Sequence, residues 1–258
     1  MRYFLIIMIL GLVWAGGPGE TAEAMLENLT AKNISNNFII INGKAMVPLQ
    51  GVRLVDRKFD AETFQASRRY LENELWGRHF TLEIGTAPDD PLAHNRYGDP
   101  LGKVIVDGKW LQKELIDKGY GWWSGAADYP EAARKILVNS EKEAEAHKQG
   151  LWRRFSVIDA NHPRNSISRG DFIIAEGRIA DVHHTAKVTY LNFGDNWQSD
   201  FTAAISSRNR KHFEALGWKL ADLKNKLVRI RGIARFYNGP FLERDFPEQM
   251  EIKEVTGG

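Results

Sequence analysis

The sequence contains no cysteine, and this absence excludes several kinds of chemistry. The chain can form no disulfide, carries no lipid-modified cysteine anchor, and has neither a thiolate nucleophile nor a Cys-ligated metal site. It also lacks a strong excess of either charge, because its formal net charge is +2. No long-range field therefore recruits nucleic acid or an anionic membrane, and any basic surface must be local.

Long apolar runs are scarce as well, and the clear one lies at the N-terminus. Arg2 precedes an apolar run from Tyr3 to Ala15, and Ala22-Glu23-Ala24 offers a small-residue cleavage site. The run is shorter than the roughly 20 residues that span a bilayer, which disfavours an uncleaved anchor helix. We expect residues 1–24 to be a signal peptide, and the mature protein to be secreted or periplasmic without a stable membrane anchor.

What the chain does contain is an ordinary globular composition. Its 258 residues are 43% hydrophobic and 26% charged, and this length predicts roughly two domains. Asp60 is placed to cap a helix, and Gly119 and Gly150 are placed to end two others. In the first half, strands are predicted over 38–41, 46–55, 79–84 and 102–106, and helices over 61–76, 110–118 and 130–149.

The second half has a different order of elements. Residues 153–170 are polar and irregular, which predicts a linker. Strands are then predicted over 171–182, 187–193 and 200–205, a helix over 208–216, and strands over 227–236, 241–244 and 249–255. Three strands, one helix and further strands are the order of an OB-fold. Residues 171–256 are therefore predicted to form an OB-like domain.

The stretch from His94 to Trp123 carries a family resemblance. Arg96-Tyr97-Gly98, Asp107-Gly108, Gln112 and Gly119 follow one another at the spacing of the staphylococcal-nuclease-like (thermonuclease) family. The later Gly150-Leu151-Trp152 resembles the end of that domain. The resemblance implies an α+β protein that is mainly β with helices: a thermonuclease-like OB barrel plus three helices over residues 25–152, followed by the second OB-like barrel.

The resemblance also locates the positions at which this family cuts a phosphodiester. That reaction needs carboxylates for a divalent cation, a carboxylate that activates water, and arginines that neutralise the phosphate. When the family's Asn-Gly turn is aligned on Asn42-Gly43, the two aspartates of its first strand fall on Ser35 and Asn37. Neither acid is present here. The family's two arginines fall on Pro48 and Asp99. Its metal-binding aspartate falls on Arg53, and its general-base glutamate falls on Asp56.

These substitutions predict a lost active site. Ca²⁺ takes about six to eight oxygen ligands, several of them charged, whereas only one shortened carboxylate remains here. Removing one electrostatic donor typically costs about a hundredfold to a thousandfold in rate. We therefore expect no catalytic residue, no metal site and no cofactor, and a protein that binds or scaffolds.

An alternative alignment keeps a metal-dependent nuclease or phosphodiesterase acting on DNA or RNA. In it Arg53 is the phosphate clamp, Asp56 is a Ca²⁺ ligand, and Asp60 or Glu62 is the base. This alignment still has Ser35 in place of an acid and Asp99 in place of an arginine.

The second half offers candidates for binding single-stranded nucleic acid. Arg229 and Arg231 lie two apart on one strand and share a face, while Val228 and Ile230 point to the core. OB-folds bind single strands through such cations beside aromatic stacking platforms, although these aromatics could equally belong to the core. The candidates are Arg229, Arg231, Arg235, Trp197, Tyr190 and Tyr237. The expected partner is single-stranded nucleic acid or another exported protein.

Overall fold

The computed structural model describes residues 24–35, 37–41, 46–84, 99–125, 129, 131–163, 167–196 and 199–253. Residues 1–23 of the predicted signal peptide, the Asn42-Gly43 turn, Arg96-Tyr97-Gly98 and Trp197 lie outside the described residues, whereas Ala24 begins a strand. The described residues divide into two compact units, the first within Met1–Trp123 and Asp128–Arg154, the second within Ser124–Ala127 and Phe155–Gly258. Within the described ranges, no helix is both long and apolar enough to cross a membrane.

The first unit combines short strands with helices. Its elements are β1 (Ala24–Thr30), β2 (Asn33–Ser35), β3 (Phe38–Ile40), β4 (Met46–Pro48), β5 (Val52–Leu54), α1 (Ala61–Leu75), β6 (His79–Ile84), β7 (Lys103–Val106), β8 (Lys109–Trp110), α2 (Leu111–Asp117), β9 (Gly121–Trp123) and α3 (Glu131–Ala146). The strand orders are β1-β6-β7-β8, β2-β3-β4 and β5-β9. The predicted helices and the strands at β6 and β7 are confirmed, whereas β1 and β2 were not predicted.

The strand predicted over 46–55 is divided in two. Gly51 adopts a φ of 77°, in the left-handed region that favours glycine. A Cβ there would lie 2.6 Å from Cζ3 of Trp123, so the position also has no room for a side chain. Because the chain bends at Gly51, β4 pairs with β3 and β5 pairs with β9. This bend brings the residues around Arg53 against Trp122 and Trp123.

The second unit is a closed barrel. Its elements are β10 (Ile158–Asp159), β11 (Phe172–Arg178), β12 (Asp181–His184), β13 (Val188–Asn192), β14 (Thr202–Ser206), α4 (Ser207–Ala215), β15 (Leu227–Ile233), β16 (Arg235–Phe236), β17 (Pro240–Arg244) and β18 (Met250–Ile252). The orders β12-β13-β14-β17-β16 and β10-β11-β15-β18 join because β11 runs on into β12, and β15 into β16. With β14 and β17 parallel, this is the OB order, and the predicted α+β fold is confirmed.

The predicted linker at 153–170 is in part packed structure. Ile158 and Asp159 pair in parallel with Ala175 and Glu176 of β11. Ala160 and Ile167 are buried in the core of the second unit. Residues from Phe155 onward therefore belong to that unit. The prediction of an irregular linker failed because two-residue strands and isolated apolar side chains leave no periodic pattern in a sequence.

Candidate functional site

Three residues that the resemblance aligns with the family's active site lie on neighbouring strands. Ser35 ends β2, Asn37 directly precedes β3, and Pro48 ends β4. Ser35 is paired with Phe38, and Phe38 is in turn paired with Pro48. The carbonyl of Asn37 accepts a hydrogen bond from Leu49 N at 2.8 Å. Its side-chain Oδ1 accepts one from Leu54 N at 3.2 Å. The Asn37 amide thus ties this turn to β5, and its oxygen is already used by the backbone.

Arg53 and Asp56 follow on β5 and the turn after it. Arg53 lies opposite Trp122 and is half-buried. Burial lowers the pKa of Arg53, and the nearby Asp56 carboxylate opposes that shift. Asp56 is exposed, and its Oδ1 accepts a hydrogen bond from Phe59 N at 2.9 Å. Asp56 therefore stabilises the turn that leads into α1. Asp99 is half-buried.

Asp60, one of the two bases in the alternative alignment, is the N-cap of α1. Its side chain is 2% exposed. Oδ1 accepts hydrogen bonds from Glu62 N and Thr63 N, both at 3.1 Å. Oδ2 accepts one from Thr63 Oγ1 at 2.8 Å. Glu62 itself lies 3.8 Å from Nη2 of Arg153. Both oxygens of Asp60 are thus engaged in holding the start of the helix.

The described residues hold no cluster of metal-binding side chains. Nowhere in that part of the chain do three or more His, Asp or Glu side chains come together in a way that could hold a metal ion.

The two arginines predicted on β15 are buried, which corrects their expected role. Arg229 is 4% exposed and Arg231 is 0% exposed. Nη1 of Arg229 lies 3.1 Å from Glu176 Oε1, and Nη2 of Arg231 lies 2.6 Å from Glu251 Oε1. The alternation was read correctly, because Val228 and Ile230 do face the core. The opposite face of β15 is buried too, so neither arginine is available to a ligand.

Tyr190, Arg235 and Tyr237 come together in a groove of about 790 Å³ on the second unit. The groove crosses the outer face of β13, β14, β16 and β17 and reaches the first turn of α4. Tyr190 is half-buried, Arg235 is exposed and paired with Glu243, and Tyr237 is 72% exposed.

Several residues of this groove were missed by sequence reasoning. They are Arg169, Arg208, Phe241 and Arg244. Arg208 could have been recognised as a candidate anion-binding residue, because it lies in the first turn of a helix and that turn holds no acidic residue. Arg169 lies in the segment predicted to be a linker, so its position offered no signal.

The fold and these positions together define an α+β protein with OB-type β-structure. Comparison with known proteins identifies the class of the first unit: residues 54–154 match the family described as "Staphylococcal nuclease homologue". The chain thus contains a staphylococcal-nuclease-like domain, as the resemblance implied. The matched range includes Asp56 and Asp99 but begins after Ser35, Asn37, Pro48 and Arg53.

A curated protein is similar over part of this domain. It is the "Probable staphylococcal-like nuclease CAN1" of Oryza sativa subsp. japonica, 34% identical over 58 residues. The similar segment is 22% of this chain and 16% of the rice protein, so the chain spans only a small part of that relative.

Proposed function

We propose that this nuclease-family protein binds its target without hydrolysing it. The observation that carries the proposal is the set of side chains at Ser35, Asn37 and Arg53, which offers no carboxylate where the resemblance places the family's metal ligands. Nucleic acid is the ligand class we favour, with another exported protein as the alternative partner. We further propose that the chain is exported and acts in the periplasm or outside the cell.

The donors at these positions do not fit Ca²⁺. Ser35 and Asn37 are neutral, and the Asn37 oxygen already accepts a hydrogen bond from Leu54 N. Arg53 places a cation where the family has a metal-binding aspartate. A hard divalent cation binds several oxygens, usually including carboxylates, and an adjacent guanidinium repels it. We therefore derive no catalytic step through a metal ion.

The phosphate clamps are also replaced. Pro48 has no charge and Asp99 has the opposite charge from arginine, so neither can neutralise a phosphate in the transition state. Electrostatic stabilisation of that kind is usually the largest single contribution to such a reaction. The loss of clamps and metal ligands together supports a protein that cannot hydrolyse a phosphodiester by this family's mechanism.

One observation favours the alternative, a metal-dependent nuclease: Arg53 and Asp56 are close enough for the carboxylate to influence the pKa of the guanidinium. Another opposes one form of it, because Asp60, the first of its two candidate bases, has both oxygens engaged in capping α1. Glu62, the second candidate base, is exposed and lies 3.8 Å from Arg153. Asp56, the proposed metal ligand, uses Oδ1 to accept from Phe59 N. A general base needs a free oxygen within hydrogen-bond reach of the water it activates.

Incubation with DNA and Ca²⁺ separates the two functions. The purified chain should leave single-stranded and duplex DNA at full length on a denaturing gel, with and without Ca²⁺. Calcium-dependent shortening that disappears in Asp56→Ala, and persists in the matched surface variant Asp107→Ala, would establish the nuclease and overturn the proposal.

A further inference from the structure

The groove of the second unit presents one continuous outer face of the barrel. The register places Tyr190 beside Ala204 and Ala204 beside Glu243. In the next row Thr202 lies beside Phe241 and Phe241 beside Arg235. Because alternate residues of a strand share a face, Tyr190, Ala204, Glu243, Phe241 and Arg235 belong to one surface. The small Ala204 is buried at the middle of this surface.

The groove carries more positive than negative charge. Arg169, Arg208, Arg235 and Arg244 line it, against the carboxylates of Glu243 and Asp245. Both acids are already engaged: Glu243 pairs with Arg235, and Asp245 Oδ1 accepts from Asn209 Nδ2 at 2.9 Å. Arg208 is exposed and makes no ion pair within the described ranges. Arg208 therefore remains available to an anion at this end of the groove.

The start of a helix also favours an anion at the same place. Helix α4 begins in the groove: Ser206 caps it by accepting from Asn209 N at 3.3 Å, and its first turn holds no acid. The helix itself therefore supplies no acid to offset the positive end of its dipole, and a carboxylate from β17's end, Asp245, contacts its first turn through Asn209. Arg244 follows Glu243 on β17 and so faces the other side of the strand, where it is buried with its guanidinium against Gly232. Arg244 is therefore not available to an anion in the groove.

Aromatic rings occupy the other side of the groove. The rings of Tyr237 and Phe241 are 6.4 Å apart in an edge contact, and 72% of Tyr237 is exposed. Across the sheet, Tyr190 stacks with His183 at 6.4 Å between ring centroids. A large aromatic residue left exposed beside cations offers a face on which a planar group can stack.

We propose that this groove binds single-stranded nucleic acid, with phosphates at Arg208 and the start of α4 and with bases stacked on Tyr237 and Tyr190. The inference deepens the proposed function, on which it rests, by giving the binding role a site. Single strands are favoured over a duplex because paired and stacked bases cannot expose their faces to Tyr237. An acidic peptide would use the cations but would leave the aromatic faces without a planar partner.

A binding assay tests the groove with two matched pairs of variants. Fluorescence anisotropy of a labelled oligothymidylate of about eight nucleotides, a length within the range of one OB-fold site, is measured with the full chain in EDTA. Arg208→Gln is compared with Lys211→Gln, an exposed residue of the same helix that does not line the groove. Tyr237→Ala is compared with Tyr237→Phe, which keeps the ring. Circular dichroism checks that each variant is folded.

Arg208→Gln and Tyr237→Ala should each weaken binding by about fivefold or more, as expected for loss of a phosphate contact or a stacked base. Lys211→Gln and Tyr237→Phe should bind like the parent. No binding by the parent, or equal binding of a duplex with no effect of Tyr237→Ala, overturns the inference. Shortening of the oligonucleotide in a parallel Ca²⁺ incubation would instead overturn the proposed absence of hydrolysis while leaving the groove as a binding site.

Discussion

At the scale of single residues, Asp60 couples the start of α1 to pH. Burial alone would raise the pKa of its carboxyl, but hydrogen bonds from Thr63 and Glu62 and the Arg154 cation outweigh burial and lower it. A carboxylate with a depressed folded-state pKa stabilises the fold above its ordinary pKa. That stabilisation is lost as the pH falls through the lowered value.

We therefore predict that Asp60→Ala lowers the free energy of unfolding at neutral pH by about 1 to 2 kcal/mol, the usual value of an N-cap. The difference between parent and variant should shrink in acid, where the parent carboxylate becomes protonated. Urea unfolding at neutral and acidic pH measures both quantities. Glu72→Gln, which removes only an exposed ion pair with Arg68, should change stability little at either pH. A constant difference across this range would contradict the assignment of the effect to the carboxylate charge.

At the scale of elements, Gln112 joins α2 to the start of β7 through hydrogen bonds. Its side chain is buried. Oε1 accepts from Val104 N at 2.9 Å, and Nε2 donates to Gly102 O at 2.9 Å and to Tyr129 Oη at 3.2 Å. The Gln112 amide thus supplies hydrogen-bond partners to the Val104 N–H and the Gly102 carbonyl at the start of β7.

Replacing this amide with an apolar group of similar size should leave those buried groups without partners. We predict that Gln112→Leu lowers the free energy of unfolding by about 1 to 3 kcal/mol or more, because an unsatisfied buried polar group costs that much. Lys113→Gln, on the neighbouring position, removes only a surface pair with Asp117 and should cost less than about 1 kcal/mol. Chemical denaturation monitored by tryptophan fluorescence compares the two. Equal effects would mean that the network of Gln112 contributes nothing specific.

The same element scale explains which parts of the fold could be predicted. Helices α1 and α3 have long apolar stripes and clear ends, so the sequence sufficed. Strand β2 was missed because it has only three residues, and β1, Ala24–Thr30, was missed because it shows no regular alternation and is stabilised by pairing with distant β6. Tertiary pairing of this kind is not encoded locally.

The candidate sites show a related limit. Alternation on β15 correctly placed Arg229 and Arg231 on the face opposite Val228, and that face was assumed to meet solvent. Both arginines are buried instead. Alternation gives the side on which a residue lies, whereas burial depends on what packs there. Tyr190, Arg235 and Tyr237 are brought into one groove by the parallel pairing of β14 with β17, which joins residues distant in the sequence.

At the scale of the whole molecule, the small net charge of +2 determines how binding should respond to salt. A nearly neutral protein has little long-range attraction for a polyanion, so the salt dependence of binding reports the local cations of the groove. Each phosphate neutralised on a single strand contributes about −0.7 to the slope of log K against log salt. With two exposed groove arginines, Arg169 and Arg208, engaged, we predict a slope of about −1.4.

Removing one of these cations should make the slope of log K against log salt less steep by the contribution of one phosphate. Arg208→Gln should make it less steep by about 0.7, while Lys211→Gln should leave it unchanged because its charge lies outside the groove. Tyr237→Ala should weaken binding at every salt concentration with the slope preserved, since stacking releases no counterions. Anisotropy titrations over a range of salt concentrations separate these effects. A steep slope that Arg208→Gln and Lys211→Gln reduce equally would indicate diffuse attraction to the protein surface, and would contradict a local site at the start of α4.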